Sequence, residues 1–382
     1  MQKFFRRCGK KPGYEEKPIS PTNFDEGNYG FTRRTGNHSM IDPTLYLSIV
    51  VTSRNDDHGG GLLRRTQIFI NGLAVQCERY QLRTELIIVE WNPPQNKVRL
   101  ADALCWPKNN PMLEIRIIEV PPAIHRTFSH ADNLPLFQMI AKNVGIRRAK
   151  GSFILATNID VLFSNELISF IAEKNLETGK IYRIDRDDVD AGVPRDESID
   201  EQLLYCKSHL LRVNKRLYTK SVHEQWDLLS FFKDYFVIFF HKTYRRLRYS
   251  EPYLHLNASG DFTLLSREDW FNLRGYPEFE MFSLHLDSIF CYAAFFSGIQ
   301  EVMLNDPLHL YHIEHSIGSG ATPGKGSKIL DDRIKKTGLK NLKYRDLIHY
   351  VNNMHRKERP LTFNSETWGL FKNILVEQVM PP

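Results

Sequence analysis

The stretch GSFILATNID, residues 151–160, joins an apolar run to an abrupt polar end. Small and apolar residues lead into Asn158, and Asp160 follows two positions later. A short apolar run bounded by turn residues is typical of a buried strand. Asn and Asp favour turns, so one interpretation is an ordinary strand end. The other is chemical, because open α/β sheets bind ligands at the carboxyl ends of their strands.

The chain around this stretch alternates between strand-like and helix-like patterns. Apolar, β-branched runs at 45–51, 84–91 and 113–120 predict strands, whereas segments 64–82 and 135–150 carry apolar residues at helical spacing. This alternation predicts an α/β fold with a mostly parallel central sheet flanked by helices. The polar residues that follow the strands would then meet at one edge of the sheet.

The composition is that of a globular protein. The chain has 382 residues, 42% of them hydrophobic and 25% charged, which suits two domains or one large α/β domain with appendages. A net charge of +6 is only mildly basic and selects no partner by itself. Five scattered cysteines, no apolar leader and no apolar run near the roughly 18–20 residues that span a bilayer predict a cytoplasmic protein without a transmembrane segment.

Shifts in composition divide the chain into three parts. The first part is basic and aperiodic, which predicts an arm rather than a packed domain. An acidic, loop-like insertion interrupts the main domain, and the last part is predicted to be a helical extension. The boundaries are 1–40 for the arm, 41–320 for the main domain with halves 45–165 and 250–318 and an insertion at about 180–256, and 321–382 for the extension.

Two common nucleotide-binding motifs are excluded. The glycine-rich segment GSGATPGKGS, residues 318–327, fits no G-x-x-x-x-G-K-[ST] register, because Gly326 follows Lys325. No G-x-G-x-x-G follows the first predicted strand either. The chain is therefore predicted to be neither a P-loop enzyme nor a typical dinucleotide enzyme.

Three motifs occur in the order found in one enzyme family. AKNVGIRRAKG (141–151) precedes the strand that ends in Asn158-Ile159-Asp160, GDFTLLSREDWFNLRGYPEFE (260–280) follows it, and MFSLHLDSIF (281–290) comes next. This order resembles GT-A glycosyltransferases, most closely family-2-type enzymes and, further along, the galactosyltransferase-like group. The resemblance covers about residues 45–318. It implies a GT-A fold and transfer of a hexose or N-acetylhexosamine from a nucleotide diphosphate sugar, most often a UDP-sugar, to a glycan hydroxyl with inversion.

The resemblance also implies a divalent metal, Mn²⁺ or Mg²⁺, bound to the donor pyrophosphate. The last aspartate of the family's DxD motif corresponds to Asp160, whereas a neutral Asn158 replaces the first. In the galactosyltransferase-like group a histidine after the late strand completes the metal shell, and His312 and His315 are the candidates here. If 307–315 is a strand, alternation puts His312 on one face and His315 on the other.

Residues of the donor and acceptor subsites follow from the same resemblance. Asp287 is the candidate base for the acceptor hydroxyl and His285 the runner-up, while an ordinary helix cap remains the other interpretation of Asp287. Gly260 and Asp261 correspond to residues that bind the donor sugar or the acceptor. The residues predicted to contact the donor nucleotide or its phosphates are Thr52, Arg54, Asp56, Glu90, Asn143, Arg147 and Asn158.

The acceptor and two rival functions stay open at this point. The aromatic and basic segment 226–249 suits either a buried helix or a contact with a membrane surface, which would fit a lipid-linked glycan acceptor in polysaccharide biosynthesis. No nucleic acid partner is expected. A sugar nucleotidyltransferase would share the nucleotide pocket. A non-catalytic module that binds nucleotide sugars is the other rival, because Asn158 departs from the family's metal motif.

Overall fold

The predicted alternation produces a mixed α/β fold in the computed structural model of the chain. The prediction of an α/β class is therefore confirmed. The structure describes residues 45–213, 216–217, 254–315, 332, 334–336, 338–357 and 360–381. The predicted arm 1–40, the segment 226–249 and the glycine-rich segment 318–327 lie outside these residues.

The larger sheet contains eight strands of the described part of the chain, in the order β11-β6-β10-β4-β1-β2-β3-β13. Strands β1 to β4 form a parallel core, β3-β2-β1-β4, whereas β10 runs antiparallel to both β4 and β6. The sheet is thus mixed rather than mostly parallel throughout. Its strands are β1 Leu47–Ser53, β2 Thr84–Trp91, β3 Leu113–Val120, β4 Phe153–Thr157, β6 Lys180–Ile184, β10 Phe262–Ser266, β11 Gln300–Leu304 and β13 Val376–Val379.

A smaller sheet has the strand order β5-β12-β7-β8-β9. β12 is antiparallel to β5 and parallel to β7, so it lies between the strand after β4 and the acidic segment after β6. The strands are β5 Val161–Phe163, β7 Arg186–Val189, β8 Leu210–Val213, β9 Arg216–Leu217 and β12 Leu310–Ile313.

Helices cover both faces of the large sheet. On β1, Leu47 and Ile49 belong to a core that includes the first helix, whereas Val50 belongs to the core on the opposite face. This is the alternation that a strand buried on both faces requires. The helices are α1 Leu62–Arg79, α2 Leu100–Ala103, α3 Pro122–His125, α4 Gln138–Arg148, α5 Asn165–Ala172, α6 Ile199–Ser208, α7 Arg267–Leu273, α8 Leu286–Phe296 and α9 Tyr344–Lys357.

The C-terminal segment differs in part from the predicted helical extension. α9 is helical as expected, and its Val351 and Met354 are buried in the same core as Ile289 of α8. The last residues instead form β13, which pairs antiparallel with β3. The guanidinium of Arg116 on β3 donates to Glu377 on β13 at 2.7 Å and to buried Glu85 on β2 at 2.6 Å. Arg116 thus links the exposed strand β13 to the buried carboxylate of Glu85 on β2.

Candidate active site

The connection from β4 to β5 contains the motif Asn158-Ile159-Asp160. β4 ends at Thr157 in the large sheet and β5 begins at Val161 in the small sheet, so residues 158–160 cross between the two. Ile313 N at the end of β12 donates to Asp160 O at 2.9 Å. The late strand is therefore held against the motif by backbone pairing.

Asp160 lies among three basic side chains. Its Oδ2 is 3.2 Å from His315 Nε2, 3.8 Å from His312 Nε2 and 4.0 Å from Arg65 Nε. Its Oδ1 is buried and has no hydrogen-bond partner in the part of the chain that the structure describes. A buried carboxylate oxygen without a partner is costly. This atom therefore suits a bound cation.

His312 is oriented by a second carboxylate. It is opposite Val161 on β5 and opposite Asp188 on β7, and its ring is 2% exposed. Its Nδ1 lies 2.9 Å from Asp188 Oδ1, so Nε2 faces Asp160. A carboxylate on one ring nitrogen commonly fixes a histidine whose other nitrogen binds a metal.

His312 and His315 lie on the same side, contrary to the expectation from strand alternation. β12 ends at Ile313, so the two-residue period does not extend to His315. The chain approaches the loop Gly59–Gly61, where a Cβ at Gly59 would lie 2.5 Å from His315 Nδ1. The close approach and the positive φ of Gly59 explain why this position is glycine.

The ligand atoms of Asp160, His312 and His315 all lie within 4.8 Å of one another. A second acidic group shares His312 and consists of Asp188 and Glu314, but Arg212 forms ion pairs with both of those carboxylates. The first group is thus the better candidate for a metal centre.

Opposing charges decide the electrostatics of the cluster. Burial acts to raise the pKa of Asp160, but His312, His315 and Arg65 outweigh it and lower that pKa well below its ordinary value. Burial likewise acts against the charge of Asp188, yet its histidine and arginine partners lower its pKa to about 2. Both carboxylates therefore remain ionised at neutral pH.

Asn158 bridges two charged groups that face each other. Its Nδ2 donates to Asp261 Oδ1 at 2.6 Å, and its Oδ1 accepts from Lys142 Nζ at 3.1 Å. A carboxylate at this position could not donate to Asp261 and would repel it, because both groups would be negatively charged. The neutral side chain is therefore required by its neighbour, which explains the departure from the DxD pattern.

We expect Asn158→Asp to destabilise the fold at pH 8 by about 1–3 kcal/mol, because two carboxylates would lie in contact. The loss should shrink as the pH falls towards 5, since repulsion raises the pKa of the pair and a shared proton then relieves it. Thermal denaturation at the two pH values measures the difference. Asn165→Asp is the matched control, because Asn165 donates to the exposed Asp200 at 2.8 Å. Equal losses in the two variants would contradict the explanation.

Lys142 is a buried charge that the sequence did not single out. It is 0% exposed, lies on α4, and donates to Gly260 O as well as to Asn158. Burial lowers the pKa of Lys142 to about 8, although Asp261, Asp287 and Asp160 act to raise it. One lysine thus faces three carboxylates of the candidate site.

Asp287 lies beside this network. Its Oδ2 accepts from Ser259 Oγ at 2.6 Å and its Oδ1 from Ser288 N at 2.9 Å. A Cβ at Gly260 would lie 3.3 Å from Asp287 Oδ2, so the glycine allows close approach. His285 precedes α8 with a positive φ of 65°, and its ring lies 6.2 Å from that of Tyr344.

Thr52 and Glu90, two of the residues predicted to contact the nucleotide, lie near the ends of β1 and β2. Arg54 Nε donates to Asn92 O at 2.7 Å, and its NH1 lies 3.0 Å from Asp56 Oδ2. Glu90 is buried and accepts from Leu100 N at 3.1 Å. Burial raises the pKa of Glu90 to about 7.

The raised pKa of Glu90 predicts that Glu90→Gln increases the stability of the protein in a pH-dependent way. The stability that the protonated carboxyl contributes is complete below its unfolded pKa and is lost as the pH rises through about 7. We expect the variant to unfold with a free energy about 1–3 kcal/mol higher than the original at pH 8 and about equal at pH 4. Urea denaturation at both pH values tests this. Glu119→Gln on the neighbouring strand, where Glu119 pairs with Arg99 at 2.9 Å, should show no gain.

Two residues predicted to contact the donor lie elsewhere on α4. Asn143 is fully buried, and its amide is bonded to both the N–H and the carbonyl oxygen of Tyr276. Arg147 stacks over the rings of Trp368 and Phe371, 4.9 and 4.6 Å from their centroids. Both side chains therefore serve packing against later parts of the chain.

A cavity of about 320 Å³ borders the group formed by Asp160, His312 and His315. It is lined by the loop Gly59–Gly61, Arg64, Arg65 and the end of β12 through His315. A larger cavity lies beside α5 and contains none of the clustered carboxylates or histidines. The smaller one is the relevant one, because it contacts His315 and Arg65 directly.

Comparisons with known proteins give a distant structural likeness. No family model and no curated protein sequence matches the chain. The chain is similar to two crystal structures of S. aureus TarS 1–349, one of them in complex with UDP-GlcNAc. Both have a TM-score of 0.40 and 12% identity, with 81% and 82% of this chain and 72% of that chain covered. The function proposed below therefore rests on the side chains of this chain.

One further finding concerns membranes. Among the described residues, none of the helices combines the length and the apolar character needed to cross a bilayer.

Proposed function

We propose that the protein is a glycosyltransferase that uses a nucleotide diphosphate sugar as donor. The observation that carries the proposal is the group Asp160, His312 and His315, in which Oδ1 of Asp160 has no hydrogen-bond partner among the described residues. Hydrogen bonds run from the same loop through Asn158 to Asp261, next to Gly260 and its neighbour Asp287. A cation-binding group and a candidate base at one edge of a sheet are what sugar transfer requires.

Asp160, His312 and His315 would hold the divalent metal. The set of two imidazoles and one carboxylate suits Mn²⁺ better than Mg²⁺, which prefers oxygen ligands. When bound, the metal would supply Lewis-acid neutralisation of the donor pyrophosphate. Asp188 would keep Nε2 of His312 directed at the metal through its bond to Nδ1.

Asp287 is the better candidate for the base. Ser259 and Ser288 N hold its carboxylate, and Gly260 leaves room beside it. His285 is the N-cap residue of α8, and its ring lies against that of Tyr344. Asp287 would take the proton of the acceptor hydroxyl as that oxygen attacks the anomeric carbon, which gives inversion of configuration.

The finer assignments are proposals of the same kind. We expect a UDP-linked hexose or N-acetylhexosamine as donor, a glycan or lipid-linked glycan as acceptor, and a role in polysaccharide biosynthesis. A cytoplasmic location with peripheral membrane contact through 226–249 also stays a prediction.

A panel of nucleotide sugars with Mn²⁺ tests the proposal. Release of a nucleoside diphosphate from one donor, faster with a glycan acceptor and abolished by chelation, is the expected result. Release of pyrophosphate from a nucleoside triphosphate and a sugar phosphate would instead indicate a nucleotidyltransferase. Binding of the donor without turnover, with every metal and acceptor tried, would indicate a binding module.

A further inference from the structure

Arg186 on β7 is a buried charge that the proposed chemistry leaves unused. Its guanidinium is anchored at two points: Nε lies 2.9 Å from Asp188 Oδ1, and NH1 lies 3.0 Å from Asp261 Oδ2. The side chain is 10% exposed. Arg186 therefore joins the carboxylate that orients His312 to the carboxylate that accepts from Asn158.

The third nitrogen of Arg186 is not used by either anchor. A guanidinium carries five N–H donors, and NH2 forms no hydrogen bond with any residue in the described ranges. Burial acts to lower the pKa of Arg186, but Asp261, Asp188 and Asp160 raise it overall, so the group stays charged. The side chain thus offers a fixed cationic donor that is linked to Asp160 through Asp188 and His312.

The two anchoring carboxylates have other partners. Asp188 also pairs with Arg212 at 2.8 Å and with His312, and Asp261 accepts from Asn158. Neither would be left without a hydrogen bond if Arg186 were absent. The need of these aspartates for hydrogen-bond partners therefore does not fully explain why Arg186 is buried beside them.

We infer that Arg186 binds the diphosphate of the donor through NH2, an inference that rests on the proposed function. A planar guanidinium held in place matches phosphate oxygens well and needs no reorganisation during the reaction. In the transfer step the bond between the anomeric carbon and the phosphate oxygen breaks, and its electron pair stays on the diphosphate. The acceptor oxygen bonds to that carbon and its proton passes to Asp287. Arg186 would stabilise the charge left on the diphosphate.

Calorimetry with Mn²⁺ and three probes, namely UDP, inorganic pyrophosphate and uridine, tests the inference. We expect Arg186→Met to weaken the binding of UDP and of pyrophosphate by about 10- to 100-fold, as for the loss of a charge-assisted hydrogen bond. The affinity for uridine should be unchanged. The affinities of Arg186→Lys should lie between those of the original protein and the Met variant, because lysine keeps the charge but lacks the planar guanidinium. In the transfer reaction, the Met variant should lower kcat as well as raise KM.

Arg212→Lys is the matched control, since Arg212 also pairs with Asp188 but otherwise contacts Glu314. If Arg212→Lys weakens the binding of pyrophosphate as much as Arg186→Met does, the effect comes through Asp188 and the inference is wrong. Unchanged pyrophosphate and UDP affinity in folded Arg186→Met, as judged by circular dichroism, also overturns it. A wild-type protein that binds neither probe with Mn²⁺ would overturn the proposed function as well.

Discussion

Asp160→Asn is expected to lower metal-dependent sugar transfer by about 10³-fold, because it removes the only carboxylate of the proposed metal group among the described residues. The two imidazoles that remain, His312 and His315, cannot neutralise the cation. The amide also cannot replace the charge that balances Arg65. Binding of Mn²⁺, followed by electron paramagnetic resonance, should be lost together with turnover.

The control for this variant is Asp187→Asn. Asp187 is equally buried at 6% exposed, but it accepts from His309 Nδ1 at 2.9 Å rather than lying in the metal group. We expect this variant to keep Mn²⁺ binding and most of its turnover. If Asp160→Asn binds Mn²⁺ with unchanged affinity, the assignment of the metal ligands is wrong.

The second large effect is expected from Asp287→Asn. Loss of a general base costs about 10²- to 10⁴-fold in rate, and an asparagine keeps the size of the side chain and its ability to accept from Ser259. The affinity for the donor should be unchanged, because Asp287 would act on the acceptor. Steady-state kinetics with a saturating donor, together with binding of UDP, separates these effects.

The structure places His285, not Asp287, at the N-cap of α8, so two comparisons show whether Asp287 is a base or only stabilises the first turn of this helix. Asp269 is a matched acidic residue in the first turn of α7, where its Oδ2 accepts from Ser266 Oγ at 2.6 Å, so Asp269→Asn should lower stability without selectively lowering turnover. His285→Ala should keep most of the activity. If His285→Ala is inactive and Asp287→Asn is active, the base has been assigned to the wrong residue.

The local pattern of apolar residues was sufficient to predict strands β2 and β3 of the large sheet. The predicted strands 84–91 and 113–120 coincide with β2 and β3, because continuous β-branched runs bounded by turns leave few alternatives. The predicted ligands Asp160, His312 and His315 are also neighbours, although metal binding itself stays a prediction. Their proximity follows from the pairing of β12 with β5, which begins immediately after Asp160.

Partners distant in sequence explain what the pattern could not predict. Lys142 and Asn143 are adjacent on α4, yet one faces the site and the other bonds to Tyr276, and nothing local distinguishes them. Arg186 and Asp188 lie in a segment that reads as an acidic loop. They are buried only because β12 and β8 pair on either side of β7. Charged residues can be assigned to a site only when their counter-charges are known.

The position of β13 in the sheet determines whether β3 is an exposed edge. The ion pair between Arg116 and Glu377 joins residues 261 positions apart. Without β13, β3 would be an open edge of the described sheet, and Arg116 would keep its partner Glu85 but lose Glu377. Exposed edges are prone to pairing with other chains. β13 therefore acts as an intramolecular cap that keeps this edge from pairing with another chain.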